Sequence, residues 1–478
     1  MMVGREPSAG DVLAARLGLV TAPAGCGKTD LIVKAVKQHR GKPVLVLTHT
    51  NAGVAALRAR FKKAAVPASS YRLATIDGWC LRLVSMFPIR ADYKIDRAAK
   101  IDYTAVRTIA KRVMLLVGQS DLVQATYGRL LVDEYQDCSV EQHALVLRLS
   151  EILPACVFGD PLQAIFNFRG NSLVTWDDDV EATFPVIGAL ETPWRWRNAG
   201  AEDLGKWILD VRRRMIAGRP VDFRVNCERV RWVRLTGNPG MDLQAQIQEA
   251  GKLCRVSSEQ VMVLTDASNA SGRHDFARRL GVGSVVEPVE LPEFLSHLEE
   301  MNGKTGEALA AQLLMCGRAV MTGLDVEGFK KRIAVLRRGS AKKAASPEEF
   351  IGIRLMDGGS IPEAIALLDA FRRNPAHHVF RPSLLSAITE AMRVTITSKN
   401  KDLISAGLAV RERRRHAGRP VPNRGIGSTL LLKGLEADHV LILNADNMNS
   451  ANLYVALSRA TKSVTVFSAS SVVKTITR

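Results

Sequence analysis

Short apolar runs of strand length punctuate the first 165 residues. Leu17–Val20, Pro43–Leu47, Arg129–Val132 and Ala155–Phe158 each end at a loop of polar or glycine residues, and helical stretches lie between them. That alternation predicts a parallel sheet with crossover helices. A second set follows at Val230–Leu235, Gln260–Leu264, Gly427–Leu431, Val440–Leu443 and Ser463–Phe467. The chain therefore reads as α/β with two such domains.

Between the strand ending near Leu264 and the one beginning near Gly427, Arg, Ala and Leu recur at helical spacing without a clear strand alternation. This stretch predicts a mainly helical insertion in the second domain. The expected boundaries are 1–185 for the first domain, with a small insertion about 81–125, then 186–275 and 426–478 for the second. Residues 276–425 form the inserted subdomain.

At 478 residues the chain exceeds what one hydrophobic core usually supports. None of its apolar runs approaches the roughly 20 residues of a membrane span. The N-terminus has no apolar signal core after its first positive charge, so the expected location is cytoplasmic. Seven cysteines, Cys26, Cys80, Cys138, Cys156, Cys227, Cys254 and Cys316, never form a CxxC pair, which argues against zinc, iron–sulfur and disulfide frameworks.

Charge adds a partner class. The net charge is +18, and residues 301–425 hold 22 Lys+Arg against 11 Asp+Glu, so the insertion is the most basic region. Such a field draws polyanions, nucleic acid first, with a solubilising surface or an acidic protein as the alternatives. Its densest cluster, Arg411-Glu412-Arg413-Arg414-Arg415-His416-Ala417-Gly418-Arg419, reads equally as a phosphate-neutralising patch or a solvated helix face.

The chemistry begins after Leu17–Val20. Ala22-Pro23-Ala24-Gly25-Cys26-Gly27-Lys28-Thr29 opens a helix-like run and has the form of a phosphate loop, with Ala22 in place of the leading glycine. Small residues let backbone N–H groups converge on a phosphate, Lys28 reaches the β and γ oxygens, and the Thr29 hydroxyl suits Mg²⁺. ATP with Mg²⁺ is the expected cofactor. A hydrolysing site also needs a carboxylate at the end of another strand and a group that orients water. Leu130-Leu131-Val132-Asp133-Glu134 supplies Asp133 for the metal and Glu134 as general base.

Further runs carry a family resemblance. They are Thr48-His49-Thr50-Asn51-Ala52, Thr75-Ile76-Asp77-Gly78-Trp79, Asp133-Glu134-Tyr135-Gln136-Asp137 and Gly159-Asp160-Pro161-Leu162-Gln163 with Phe168-Arg169-Gly170. Pro193-Trp194-Arg195-Trp196, Lys433-Gly434-Leu435-Glu436 and Tyr454-Val455-Ala456-Leu457-Ser458-Arg459-Ala460 follow. In this order the chain resembles the UvrD/Rep/PcrA group of superfamily 1 DNA helicases, across residues 22–460.

The resemblance implies two RecA-like P-loop motor domains that couple ATP hydrolysis to movement on single-stranded DNA, 3′ to 5′, and to unwinding at duplex junctions. It implies that Gln163 senses the γ-phosphate and that Arg195 and Arg459 approach it from the second domain, as guanidinium groups stabilising the transferring phosphoryl. Trp194 takes the place of the adenine-stacking aromatic and Glu436 that of the ribose-contacting acid, although a lone Trp is more often core and a lone Glu solvated. On the DNA side it implies stacking by His49 and Phe168, the latter with buried packing as its alternative, and phosphate contacts from Thr48, Thr50, Asn51 and Thr75.

Several positions depart from the family. No glutamine precedes Lys28, Leu430 stands where a histidine is common, and Ser458 replaces a threonine beside Arg459. Only 53 residues separate Trp79 from Asp133, and 19 follow Arg459, so any nuclease is expected as a partner. DNA repair, recombination and phage defence are the processes in view. The alternative is an ATP-gated DNA sensor that signals to a partner nuclease with little unwinding of its own.

Overall fold

The computed structural model describes residues 5–93, 101–115, 119–166, 172–256, 258–265, 269–288, 291–398, 402–417 and 422–474. The chain divides into two compact units. One comprises Met1–Trp232, Ala445–Val464 and Ser470–Arg478, and the other Val233–Asn444 and Thr465–Ala469.

Six strands build the first sheet: β1 Leu17–Thr21, β2 Val44–Thr48, β3 Tyr71–Thr75, β4 Arg129–Val132, β5 Ala155–Gly159 and β6 Val186–Ala189. Their order is β3-β2-β4-β5-β1-β6, and every neighbouring pair is parallel. A parallel strand inside such a sheet carries apolar side chains on both faces. Leu45, Leu47, Leu130 and Val132 pack with the helices Ile76–Met86, Tyr103–Leu115 and Val140–Ile152. The alternate residues Val44, Val46 and Leu131 pack with Lys28–Gln38 and Asn51–Lys63.

β3 and β6 were not marked by apolar runs because they are the sheet's edges. Only Leu73 of β3 is buried and no residue of β6 is. A half-covered edge strand lacks the continuous apolar signature of a central one.

The second sheet has the order Ser284–Val285, Arg424–Ser428, Val261–Thr265, Ala437–Ile442, Ala460–Ser468, Val230–Arg234. Arg424–Ser428 runs parallel to both of its neighbours, as does Ala437–Ile442 to Val261–Thr265. Val261, Val263, Ile426 and Leu441 meet Ala250, Cys254, Phe276 and Leu280 of the helices Pro239–Val256 and Ala270–Leu280. Both sheets are thus flanked by helices, the α/β arrangement that the strand pattern predicts.

The strand expected at Gly427–Leu431 is displaced toward the N-terminus. Arg424–Ser428 is the strand, and the Ser428 hydroxyl then accepts from Leu431 N and caps a short helix, Thr429–Leu432. A serine with a free helix N-terminus ahead of it ends a strand sooner than an apolar run suggests.

From Phe294 to Ala417 the described residues form seven helices with a core of their own, including Leu298, Leu313, Leu367 and Ile388. Arg381 is buried in this unit. Its guanidinium holds Glu287 at 2.7 Å and Glu293 at 2.6 Å, and the second Glu287 oxygen accepts from Leu384 N. None of the described helices is long and apolar enough to cross a membrane.

Candidate nucleotide and nucleic-acid site

The C-terminal edge of the first sheet gathers the predicted chemistry, as expected for an open parallel sheet. β1 and β5 end level, with Thr21 opposite Gly159, and Ala22 N donates to Gly159 O at 2.8 Å. The loop that follows needs positive φ at Gly25 (+72°) and Gly27 (+92°), and the helix Lys28–Gln38 starts directly after it. A side chain would be crowded at both glycines. A Cβ on Gly25 would come within 2.8 Å of Trp196, and one on Gly27 within 3.1 Å of Trp194. This cradle of backbone at a helix N-terminus fits a polyphosphate.

Lys28 is nearly buried, with Nζ 3.0 Å from Asp133 Oδ1 and in contact with Glu134 Oε1. Burial works against its charge, but the two carboxylates more than compensate and hold the ammonium above its usual range. Burial raises Asp133, against the pull of Lys28. Glu134 has φ +56°, left-handed backbone for a residue with a side chain. Strain of this kind persists where the surroundings over-determine it, and here it turns the Glu134 carboxylate toward the loop. Thr29, half-buried at the second position of the helix, and Asp133 are the residues that could hold Mg²⁺.

Next to this pair lies a buried polar node. Gln136 Nε2 donates to Glu134 Oε2 at 2.6 Å, and Gln136 Oε1 accepts from Asp160 N at 3.1 Å. Gln163 Nε2 donates to Asp160 Oδ2 at 3.1 Å, which ties Gln163 to the same node. Arg212 grips the same carboxylate, with Nη2 2.9 Å from Oδ1. Sequence reasoning gave no role to Gln136, Asp160 or Arg212. The first two lie inside quoted runs. Arg212 follows Ile208 by four and Leu204 by eight on the buried stripe of Glu202–Ile216, and a cation on an apolar stripe was the available signal.

Trp194, Arg195, Tyr454 and Arg459 belong to the same unit as the phosphate loop. Arg195 N donates to Gly25 O at 3.0 Å, and its Nη1 to Ser458 O at 2.5 Å. Trp194 is 48% exposed, with the Arg197 guanidinium 5.6 Å from its ring centre, so a face remains for a planar ligand. Arg459 is buried, donating to Val455 O and to the Ser458 hydroxyl. Tyr454 was also missed. Its buried hydroxyl accepts from Ala24 N at 3.1 Å, and burial keeps it far from ionisation. Burial pushes Cys26 up to about 12, so this loop thiol is inert. Glu436 lies exposed in the other unit, at the start of Ala437–Ile442.

The residues expected to touch DNA divide by environment. Thr50 and Thr75 cap the helices after β2 and β3, accepting from Gly53 N at 3.0 Å and Gly78 N at 2.9 Å. Their hydroxyl oxygens are thus engaged locally, while two helix N-termini face the sheet edge. Asn51 is exposed at the first turn, and His49 meets Phe166 with ring centres 5.5 Å apart. Thr48 is fully buried beneath Gly53 and shapes the turn. Phe168 lies outside the described residues.

Two members of the basic cluster are engaged locally. Arg414 bonds Glu390, Ser383 O and the Ser386 hydroxyl, and Arg413 pairs with Glu390. The side chains of Arg415, His416 and Arg419 lie outside the described residues.

A phosphate loop on β1 facing an Asp-Glu pair on β4 of a parallel sheet defines the nucleotide-binding P-loop class. Residues 119–179, which hold Asp133, Glu134 and Gln163, match the UvrD/REP helicase N-terminal domain family. The match covers that segment, and there the chain is similar to UvrD-like helicases. No curated protein matches it in sequence. Among solved structures it is similar to arterivirus nonstructural protein 10, a helicase solved with DNA, at 10% identity and a TM-score of 0.35. That alignment covers 96% of this chain and 62% of the viral one, so the chain spans less than two thirds of that helicase's length.

Proposed function

We propose that the chain is an ATP-driven motor on single-stranded DNA that moves 3′ to 5′ and unwinds duplex junctions, in DNA repair, recombination or phage defence. The arrangement that carries this reading is Lys28 held between Asp133 and Glu134 at the mouth of a phosphate loop. Bound Mg²⁺ and ATP would supply a polarised γ-phosphoryl group, with Thr29 and Asp133 holding the ion and the loop amides the phosphates.

The protein's own groups do the rest. Lys28 leaves the carboxylates for a phosphate oxygen, which frees Asp133 for its metal role and Glu134 to accept a proton from water. Gln163 reports on the phosphate through its turn. Arg195 and Arg459 supply positive charge where negative charge develops. Trp194 stacks on the base. His49, the capped helix starts at Asn51 and Ile76, and Phe168 hold the DNA strand by stacking and phosphate contacts that any sequence satisfies. Glu436 contacts the ribose.

Strand displacement on duplexes with a 3′ or a 5′ single-stranded tail tests the proposal. ATP-dependent unwinding of the 3′-tailed substrate alone is expected. Unwinding of only the 5′-tailed substrate overturns the direction, and unwinding of neither overturns the helicase reading.

A further inference from the structure

Asp160 is fully buried at the end of β5, and its carboxylate organises everything around it. Oδ1 accepts from Leu162 N at 3.2 Å and Oδ2 from Gln163 Nε2 at 3.1 Å, so its plane sets the turn Pro161–Gln163. Its backbone N–H continues through Gln136 to Glu134. An unbroken line of hydrogen bonds therefore joins the general base to the γ-phosphate sensor.

A buried carboxylate requires a counter-charge, and a forked guanidinium also fixes its orientation. Arg212 does both, with Nη2 2.9 Å from Oδ1 and Nε 3.1 Å from Oδ1 and 3.3 Å from Oδ2. A lysine ammonium would supply the charge without the fork. We infer that Arg212 is a positioning residue for ATP hydrolysis: by holding Asp160 in one plane it fixes the turn carrying Gln163 and, through Gln136, the side chain of Glu134. The inference rests on the proposed ATPase activity.

The test is steady-state ATP hydrolysis by full-length R212K and R212M with single-stranded DNA, alongside thermal unfolding. R212K keeps the charge, so it folds and melts near the wild type. Its kcat is expected to fall on the order of tenfold to a hundredfold, because small misplacements of reacting groups cost that much. KM for ATP is expected to stay within about threefold, since substrate binding is not what Arg212 controls. R212M should show the same split where it folds, and R212K decides the matter where R212M does not. A folded R212K with wild-type kcat, or with only KM altered, overturns the inference. A wild-type chain that hydrolyses no ATP removes the functional reading beneath it, a distinguishable failure.

Discussion

Lys28 Nζ stands 3.0 Å from Asp133 Oδ1 although one residue opens the helix after β1 and the other closes β4, with β5 between those strands. The same ammonium also touches Glu134. One cation thus pairs with both carboxylates, and nucleotide with metal would exchange this pairing for another. Removing it exposes two adjacent acids to one another. K28A is therefore expected to lower ATP turnover by about 10²-fold or more, the scale of a lost transition-state donor. Steady-state phosphate release measures it, and a folded K28A at the wild-type rate contradicts the assignment.

Tyr454 ties its helix to the phosphate loop through Ala24 N. Y454F keeps the ring and leaves a buried N–H without its acceptor, which costs about 1–3 kcal/mol. Urea unfolding should show a loss of that size. Unchanged stability would mean that the bond contributes nothing.

Much of this site was legible because phosphate chemistry uses short contiguous motifs. Gly25 and Gly27 act through local backbone, Lys28 opens the helix directly after them, and Asp133 and Glu134 sit where an apolar run stops. Arg212, Asp160 and Tyr454 were not legible as partners, since only the tertiary fold brings positions 160, 212 and 454 to one loop. For the fold, central strands such as Val44–Thr48 announced themselves, whereas β3 and β6 did not because edges are half covered. The basic cluster shows the opposite limit. The sequence leaves Arg413 and Arg414 open as phosphate contacts or a solvated face, while the fold pairs both with Glu390.

Trp194 offers its ring beside Gly27 with half its surface exposed. W194A should raise KM for ATP about fivefold with kcat little changed, as loss of a stacking contact worth about 1 kcal/mol implies. A drop in kcat at constant KM would instead place Trp194 in the hydrolytic step.

In the second unit, His274 is driven from 6.5 down to about 4, by burial first and then by Arg381. The unfolded chain therefore binds the proton more readily than the folded one between about pH 6.5 and 4. Stability contributed by neutral His274 is full above that window and is lost as pH falls through it, at no more than about 1.4 kcal/mol per pH unit. H274Q should flatten this part of the pH–stability curve in chemical unfolding. An identical slope in the variant would assign the acid sensitivity elsewhere.

The most direct measurement is ATP hydrolysis by the purified chain with and without single-stranded DNA, with E134Q as the control. The account predicts Mg²⁺-dependent hydrolysis that DNA stimulates strongly, and a loss of about 10²- to 10⁴-fold in E134Q, the range for a general base. Hydrolysis indifferent to DNA, or E134Q turning over like the wild type, would contradict it.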